Sequence, residues 1–259
     1  MEWQAPAVVL GVSPYGEGDA LACVLTADYG AWRGLARGGA SRAKSSTWQA
    51  GNVIDARWIA RLEESLGSFT AELSQAIAAS AMQDPWRLGV LSAAVSLTAA
   101  ALPEREPHPR VLAALLRVLA HLTLNQGAIA ELVRFEMVLL ADLGFGLDLS
   151  ACAVNGQAND LSFVSPRSGR AVSNEAAGKF RDRLLPLPLF LIDPEHTPTP
   201  AELAEGMRLT SHFLSRDLFG AQHKPLPASR IALAESLAVS SAGEEGEGRH
   251  AQRASHEGP

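Results

Sequence analysis

Apolar and polar residues alternate with a period of two over the first part of the chain, to about Leu73, and turn residues interrupt this pattern often. Such alternation is typical of strands that bury one face. This pattern predicts strands over Ala7–Val12, from Trp32 to Arg37 and from Val53 to Leu62. It also predicts a strand from Leu21 to Leu25, where alternate apolar residues share one face. About five short strands, with turn signals roughly every 8 to 12 residues, predict a small barrel or sandwich.

From Glu72 onward the apolar residues recur with a helical period of 3.6. Asp84-Pro85 predicts a helix start, because Asp caps a helix well and Pro suits its first position. Further helices are predicted over Val111–Leu122, over Ile129–Leu140, and from Thr199-Pro200 to about Leu218. The second half of the chain is therefore predicted to be an α-helical domain.

Residues 146–183 interrupt this helical pattern with many Asn, Gly and Ser residues and one β-like piece, Leu161–Val164. This composition predicts a hairpin or knuckle inserted into the helical domain. The polar, low-complexity sequence after Leu237 predicts a disordered tail. We therefore expect a barrel over 1–78, a helical domain over 79–238 that contains the insertion 146–183, and a tail over 239–259.

Positive charge is concentrated in one stretch of a chain that is acidic as a whole. The 259 residues carry a net charge of −6, yet six basic residues and one Asp give +5 between Gly30 and Leu62. The basic residues are Arg33, Arg37, Arg42, Lys44, Arg57 and Arg61, and Trp32, Trp48 and Trp58 lie among them. A barrel with cationic and aromatic side chains suits a nucleic-acid backbone whose bases stack.

An ordinary solvated cationic face would give the same charge pattern. Period-two alternation places Trp32 and Trp58 opposite the arginines, which favours a core position for both. Trp48 has no such constraint, and we keep it as a candidate for base stacking.

The motifs of common enzyme classes are absent from the sequence. It contains no Gly-Lys-Ser/Thr phosphate loop, no His-Glu-x-x-His motif and only two cysteines, Cys23 and Cys152. Two isolated cysteines suit a reducing cytoplasm, and the first residues lack the pattern of a secretory signal. We expect a cytoplasmic protein that is not an enzyme and holds no cofactor.

Several short motifs, in consistent order, resemble the RecO family of recombination mediators. In the barrel they are Pro14-Tyr15-Gly16-Glu17-Gly18-Asp19-Ala20, Leu25-Thr26-Ala27-Asp28-Tyr29-Gly30 and Gly34-Leu35-Ala36-Arg37-Gly38. In the helical half they are Arg134-Phe135-Glu136, Leu143-Gly144-Phe145-Gly146 followed by Cys152, and Lys224-Pro225-Leu226 followed by Ser229-Arg230. The resemblance spans about Trp3 to Leu237.

The resemblance implies an α+β architecture, in which an N-terminal oligonucleotide-binding (OB) barrel precedes a helical domain. It implies a DNA repair and recombination mediator of the RecFOR pathway, active at the nucleoid, that binds single- and double-stranded DNA and anneals complementary strands. With RecR, such a protein helps load RecA onto DNA coated by single-strand-binding protein. The alternative is a scaffold whose barrel binds an acidic protein partner.

The resemblance also implies particular site residues. The basic DNA-binding residues of the family's barrel match Arg33, Arg37, Arg42 and Lys44. The pattern of charged and aromatic residues adds Arg57, Arg61 and Trp48 to the candidate DNA-binding set. Arg134, Phe135 and Leu139 match the stretch that receives the C-terminal tail of single-strand-binding protein. Some members of the family hold zinc with four cysteines, whereas Cys152 is the one cysteine in this region, so we expect a knuckle without zinc.

Overall fold

The computed structural model describes residues 1–62, 65–124 and 127–240. Its first part is a closed barrel with strand order β1-β2-β3-β5-β4, in which the β3–β5 pair is parallel and the others are antiparallel. The strands are β1 Glu2–Tyr15, β2 Asp19–Thr26, β3 Gly30–Ala36, β4 Val53–Ile59 and β5 Ser68–Gln75. Strand β1 closes the barrel, because its first half pairs with β4 and its second half with β2. The predicted small barrel is confirmed.

One expectation for this part was wrong. A helical period was expected from Glu72, but β5 continues to Gln75 and the first helix begins at Ile77. Residues 68–75 pair along β4, and these ladder hydrogen bonds outweigh a weak local periodicity.

Aromatic rings fill the core of the barrel. Trp32 and Trp58 are both buried, as the alternation predicted, and their rings meet edge to face at 5.0 Å between centroids. Trp3 contacts both and stacks on Tyr29 at 4.8 Å. Such contacts add to the apolar burial of the rings, so this small barrel has a dense core.

The helical domain contains the predicted helices, and their starts have the expected caps. The Asp84 carboxylate accepts hydrogen bonds from the backbone of Trp86 and Arg87, and Thr199 forms a reciprocal capping box with Glu202. The helices are α1 Ile77–Ala81, α2 Pro85–Ala101, α3 Pro109–Leu124, α4 Ala128–Asp142, α5 Asn174–Ala177, α6 Pro200–Phe213, α7 Phe219–Ala221 and α8 at 228–240. A π-helical turn, Leu214–Leu218, joins α6 to α7. Of the predicted tail, residues 241–259 lie outside the described residues.

The insertion contributes two strands, β6 Leu161–Val164 and β7 Ala171–Ser173, to a small sheet of order β7-β6-β8. The third strand, β8 Leu185–Pro186, lies just beyond the predicted insertion 146–183. The β-like piece predicted over 161–164 is thus a strand, paired with β7 in a hairpin. Cys152 is buried beside this hairpin, and its sulfur accepts hydrogen bonds from the backbone amides of Ser173 at 3.2 Å and Val154 at 3.5 Å. One thiol, in a segment 146–183 that contains no histidine, does not fit a four-ligand zinc site, and the described residues contain no cluster of three metal-binding side chains.

The connection between α2 and α3 fixes the barrel to the helical domain. The backbone amide of Arg105 donates to Ala31 at 2.8 Å, and its guanidinium lies 4.6 Å from the ring centre of Trp32. Gly30 has a φ of +68°, and a Cβ there would lie 2.0 Å from the carbonyl oxygen of Glu106. Because only Gly fits this close approach, the β2–β3 turn and the connection form one packed contact. No helix in the described ranges is long and apolar enough to cross a membrane.

Candidate nucleic-acid interface

Residues 37–52 connect β3 to β4 and form what we call the basic loop. Both of its ends are tied to the barrel. The Asp19 carboxylate accepts a hydrogen bond from the backbone amide of Gly38 at 2.6 Å, and the buried Asn52 side chain donates to the carbonyl of Ser46 at 2.8 Å. Asn52 also accepts from the amide of Ala78 at the start of α1. The loop is therefore held in a defined conformation against both domains.

The basic loop carries three exposed cations, Arg37, Arg42 and Lys44. The Lys44 ammonium donates to the Arg37 carbonyl at 3.2 Å, which brings its charge to the start of the loop. Within the described part of the chain, none of the three forms an ion pair with a carboxylate. These charges are free to meet phosphate groups.

Trp48 lies in the same loop but cannot act as predicted. It is 5% exposed and packs on Phe69 with ring centroids 5.9 Å apart. A base cannot stack on a ring inside the barrel core, so the prediction that Trp48 binds DNA is corrected. Trp48 instead anchors the C-terminal half of the basic loop.

Two of the predicted DNA-binding arginines are already paired. Arg33 forms an ion pair with Glu104 at 2.7 Å, and Arg57 forms one with Glu2 at 2.5 Å. The hydrogen bond between Glu2 and Arg57 is the main cause that raises the pKa of Arg57 and lowers the pKa of Glu2. The charge count between Gly30 and Leu62 missed these partners, because the carboxylates come from distant parts of the sequence.

Arg57 also lies among carboxylates, which weaken its attraction for phosphates. The outer face formed by β1, β4 and β5 carries three carboxylates, and we call it the acidic face. Asp55 of β4 is directly opposite Glu72 of β5. On the other side of β4, Glu2 of β1 forms the ion pair with Arg57. With one arginine against Glu2, Asp55 and Glu72, this face repels phosphates, so Arg57 is removed from the candidate interface.

Arg61, by contrast, lines an open groove of about 560 Å³ at the end of the barrel. The other wall includes Tyr15, at the tip of the β1–β2 hairpin, whose side chain is 55% exposed. Tyr15 belongs to the motif Pro14–Ala20, but it was not among the candidate site residues predicted from the sequence. The available signal was an aromatic residue in a Pro-Gly turn, where a core position is not expected.

The second predicted site, on α4, is largely part of the core. Phe135 and Leu139 are completely buried, so neither offers a surface to the tail for which the resemblance proposed them. Helix α4 packs against α3 and α6 and buries both side chains, whereas Arg134 is partly exposed. Arg134 pairs with Glu131 at 3.5 Å and donates to the carbonyl of Phe190 at 3.2 Å.

The closed five-stranded barrel, with its unpaired cations at one end, places the N-terminal part of the chain in the class of barrels that includes oligonucleotide-binding domains. Comparison with known proteins gives the family. Residues 1–77 match the family model described as "Recombination protein O N terminal", and residues 82–227 match "Recombination protein O C terminal". The chain belongs to the RecO family of DNA repair and recombination proteins.

Individual relatives extend this similarity over almost the whole chain. A protein named "DNA repair protein RecO" from Acidiphilium cryptum is 52% identical over 240 residues, which are 92% of this chain and 96% of the relative. Proteins of the same name from Granulibacter bethesdensis and Gluconacetobacter diazotrophicus are 50% and 48% identical, each over 92% of this chain and at least 95% of the relative. The chain thus matches these relatives across both domains.

Proposed function

We propose that this chain is a recombination mediator that binds single- and double-stranded DNA through the basic loop and anneals complementary strands. With RecR, it helps load RecA onto DNA coated by single-strand-binding protein, as a member of the RecFOR pathway working at the nucleoid in the cytoplasm. It acts by binding and not by catalysis. The observation that supports this best is the set of three exposed cations, Arg37, Arg42 and Lys44, on a loop anchored to the barrel.

The arrangement of charge suits annealing in physical terms. Two strands that approach each other repel through their phosphates, and cations on one surface reduce that repulsion for both. Because contacts to phosphates carry no sequence information, such a surface accepts any sequence. The acidic face, on the outer side of β1, β4 and β5, disfavours DNA binding around Glu2, Asp55 and Glu72.

A double charge reversal tests this site. We expect Arg37→Glu with Lys44→Glu to remove most of the affinity for a mixed-sequence single strand and most of the annealing rate. The side chains are exposed, so helical content measured by circular dichroism should stay unchanged. Binding is followed by fluorescence anisotropy, and annealing by the loss of donor emission between two labelled strands.

Arg57→Glu is the matched control, since it reverses an exposed arginine of the same barrel on the acidic face. It should leave DNA binding nearly unchanged. If the double variant binds DNA as the wild type does, the basic loop is not the DNA site. If the wild type binds an acidic protein but no DNA, the alternative of a scaffold is correct.

The partner site on α4 remains part of the proposal, now carried by Arg134 alone. Its side chain is 31% exposed, and the guanidinium lies 5.4 Å from the ring of Phe190. A guanidinium with free donors can bind the carboxylate end of the tail of single-strand-binding protein. Phe135 and Leu139 support that position from the core beneath it.

A further inference from the structure

The connection between α2 and α3, residues 102–108, places a carboxylate beside the barrel. Glu104 lies next to Ala31 of β3 in a parallel bridge, and the backbone amide of Arg105 donates to the Ala31 carbonyl at 2.8 Å. Arg105 has a φ of 64°, which is uncommon for a residue other than Gly, and its guanidinium lies over the ring of Trp32. These contacts hold the backbone of Glu104 against β3.

Arg33 of β3 is the partner of this carboxylate. The distance between Arg33 Nε and Glu104 Oε1 is 2.7 Å, and the two side chains are 52% and 48% exposed. Arg33 also lies opposite Cys23 of β2. Burial raises the pKa of the Cys23 thiol, and the charge of Arg33 partly offsets this effect. The guanidinium is thus held on the outer surface of the barrel, where a ligand from solvent can reach it.

Arg33 is also in line with the start of the basic loop. Alternation along β3 places Arg33 and Arg37 on the same outer face, where both are exposed. At about 3.3 Å per residue along a strand, their Cα atoms are about 13 Å apart. Without its carboxylate partner, Arg33 would therefore extend the cationic surface of the basic loop along β3.

We infer that Glu104 withholds Arg33 from DNA and so limits the affinity of the chain for single strands. The inference rests on the proposed function and adds a residue that sets its strength. A carboxylate accepts the same charge-assisted hydrogen bonds from a guanidinium as a phosphate does, so Glu104 takes the place of a phosphate on Arg33. A phosphate that displaced Glu104 would exchange one exposed ion pair for another and gain little. Arg33 therefore adds little to DNA binding while Glu104 is present.

A double-mutant cycle on Arg33 and Glu104 tests this inference. The probe is a labelled oligothymidylate, and binding is followed by fluorescence anisotropy. Glu104→Gln should bind the probe about threefold more tightly than the wild type, a factor within the range of one exposed ion pair. Arg33→Gln should bind nearly like the wild type. The double variant Arg33→Gln with Glu104→Gln should lose the gain, because the freed cation is then missing.

Glu106→Gln is the matched control, since it removes the same charge from the same connection and leaves the pair between Arg33 and Glu104 intact. It should bind the probe like the wild type. An equal gain in Glu106→Gln, or a gain that persists in the double variant, would show simple charge repulsion and overturn the inference. Equal binding by Glu104→Gln and the wild type also overturns it, but leaves the proposed function intact. If the wild type does not bind the probe at all, the proposed function itself is wrong.

The salt dependence of binding gives a second readout. One more phosphate contact makes the log–log slope of affinity against salt steeper by about 0.7 for single strands. The slope for Glu104→Gln should therefore be steeper than the wild-type slope by this amount, and the slope for the double variant should equal that of the wild type. Tighter binding with an unchanged slope would contradict a new contact between Arg33 and a phosphate. Both side chains are about half exposed, so circular dichroism should show the same fold in every variant.

Discussion

Arg230 and Glu136 form a completely buried ion pair that joins α8 to α4. The Arg230 guanidinium also donates to the Met207 carbonyl at 3.1 Å and to the Thr210 hydroxyl at 3.2 Å, both on α6. One side chain therefore connects three helices through charge-assisted hydrogen bonds. The Ser229-Arg230 motif of the sequence is structural, and it positions the last helix of the described chain.

Removing one partner of this pair should strongly destabilise the helical domain. Glu136→Gln leaves the Arg230 charge buried without a counter-charge, a change that costs about 3–5 kcal/mol in comparable sites. We expect a lower midpoint of unfolding in urea, followed by circular dichroism. The double variant Glu136→Leu with Arg230→Met should be more stable than Glu136→Leu or Arg230→Met alone. Each single variant leaves one unpaired buried charge, whereas the double variant leaves none.

Salt dependence should report how many phosphates the barrel contacts. The corrected interface contains four cations, Arg37, Arg42, Lys44 and Arg61, so the log–log slope of affinity against salt should be about −2 to −3 for single strands. Removing Lys44 alone should reduce the slope by about 0.7. The measurement is anisotropy from low to moderate salt, and a slope near zero would exclude phosphate binding.

The thiol of Cys152 should ionise near neutral pH. Burial raises its pKa, but hydrogen bonds from Ser173 and from the backbone amides of Asn155 and Val154 outweigh burial and lower it to about 7. Since this folded-state value lies below that of the unfolded chain, the resulting stabilisation is complete above about pH 9. It is lost as the pH falls through 7.

Thiolate absorbance at 240 nm measures this pKa in a Cys23→Ala variant, where Cys152 is the remaining thiol. Burial raises the pKa of Cys23, so the wild type should show a second, later step. A single step at the pH of a free thiol in the variant would show that the hydrogen bonds do not act on the sulfur.

The knuckle region should accept zinc once its missing ligands are restored. The Cys152 sulfur accepts a hydrogen bond from the backbone amide of Val154, and the Ser173 hydroxyl accepts one from the backbone amide of Ala176. Asn155 reaches Ser173 at 3.4 Å, so positions 152, 155, 173 and 176 lie around one point. We expect the triple variant Asn155→Cys, Ser173→Cys, Ala176→Cys to bind one zinc per chain.

Elemental analysis after dialysis tests this prediction, and the double variant Asn155→Cys, Ser173→Cys is the control. Three thiolates should hold zinc more weakly than four, so the control should lose the metal to a chelator first. Equal metal content in the triple variant and the wild type would show that the four positions do not converge.

Arg134→Ala should weaken binding of a peptide with the sequence of the single-strand-binding protein tail. The loss is expected to be about 1.5–3 kcal/mol, the range for a hydrogen bond to a charged group. Binding to naked DNA should not change, because α4 is not part of the basic loop. Titration of a labelled tail peptide decides the matter, with Arg117→Ala as a control that removes another partner of Glu131.

The sequence by itself predicted the barrel, the helical domain and the caps at two helix starts, because these features depend on local patterns. Alternation placed Trp32 and Trp58 in the core, and Asp84 and Thr199 marked helix starts through hydrogen bonds within a few residues. The concentration of positive charge between Gly30 and Leu62 was also correct as a composition. What it left open was which of those charges are free.

The tertiary structure decided that question through residues distant in sequence. Glu104 and Glu2 neutralise Arg33 and Arg57, and no local pattern around either arginine indicates these partners. Burial of Trp48 and Phe135 likewise depends on which elements pack against them. Only the closing of the barrel brings Tyr15 and Arg61 to one groove, since the chain between them forms three other strands before it returns. A sequence pattern determines the face on which a side chain lies, whereas its neighbours across that face are set by how the elements pack.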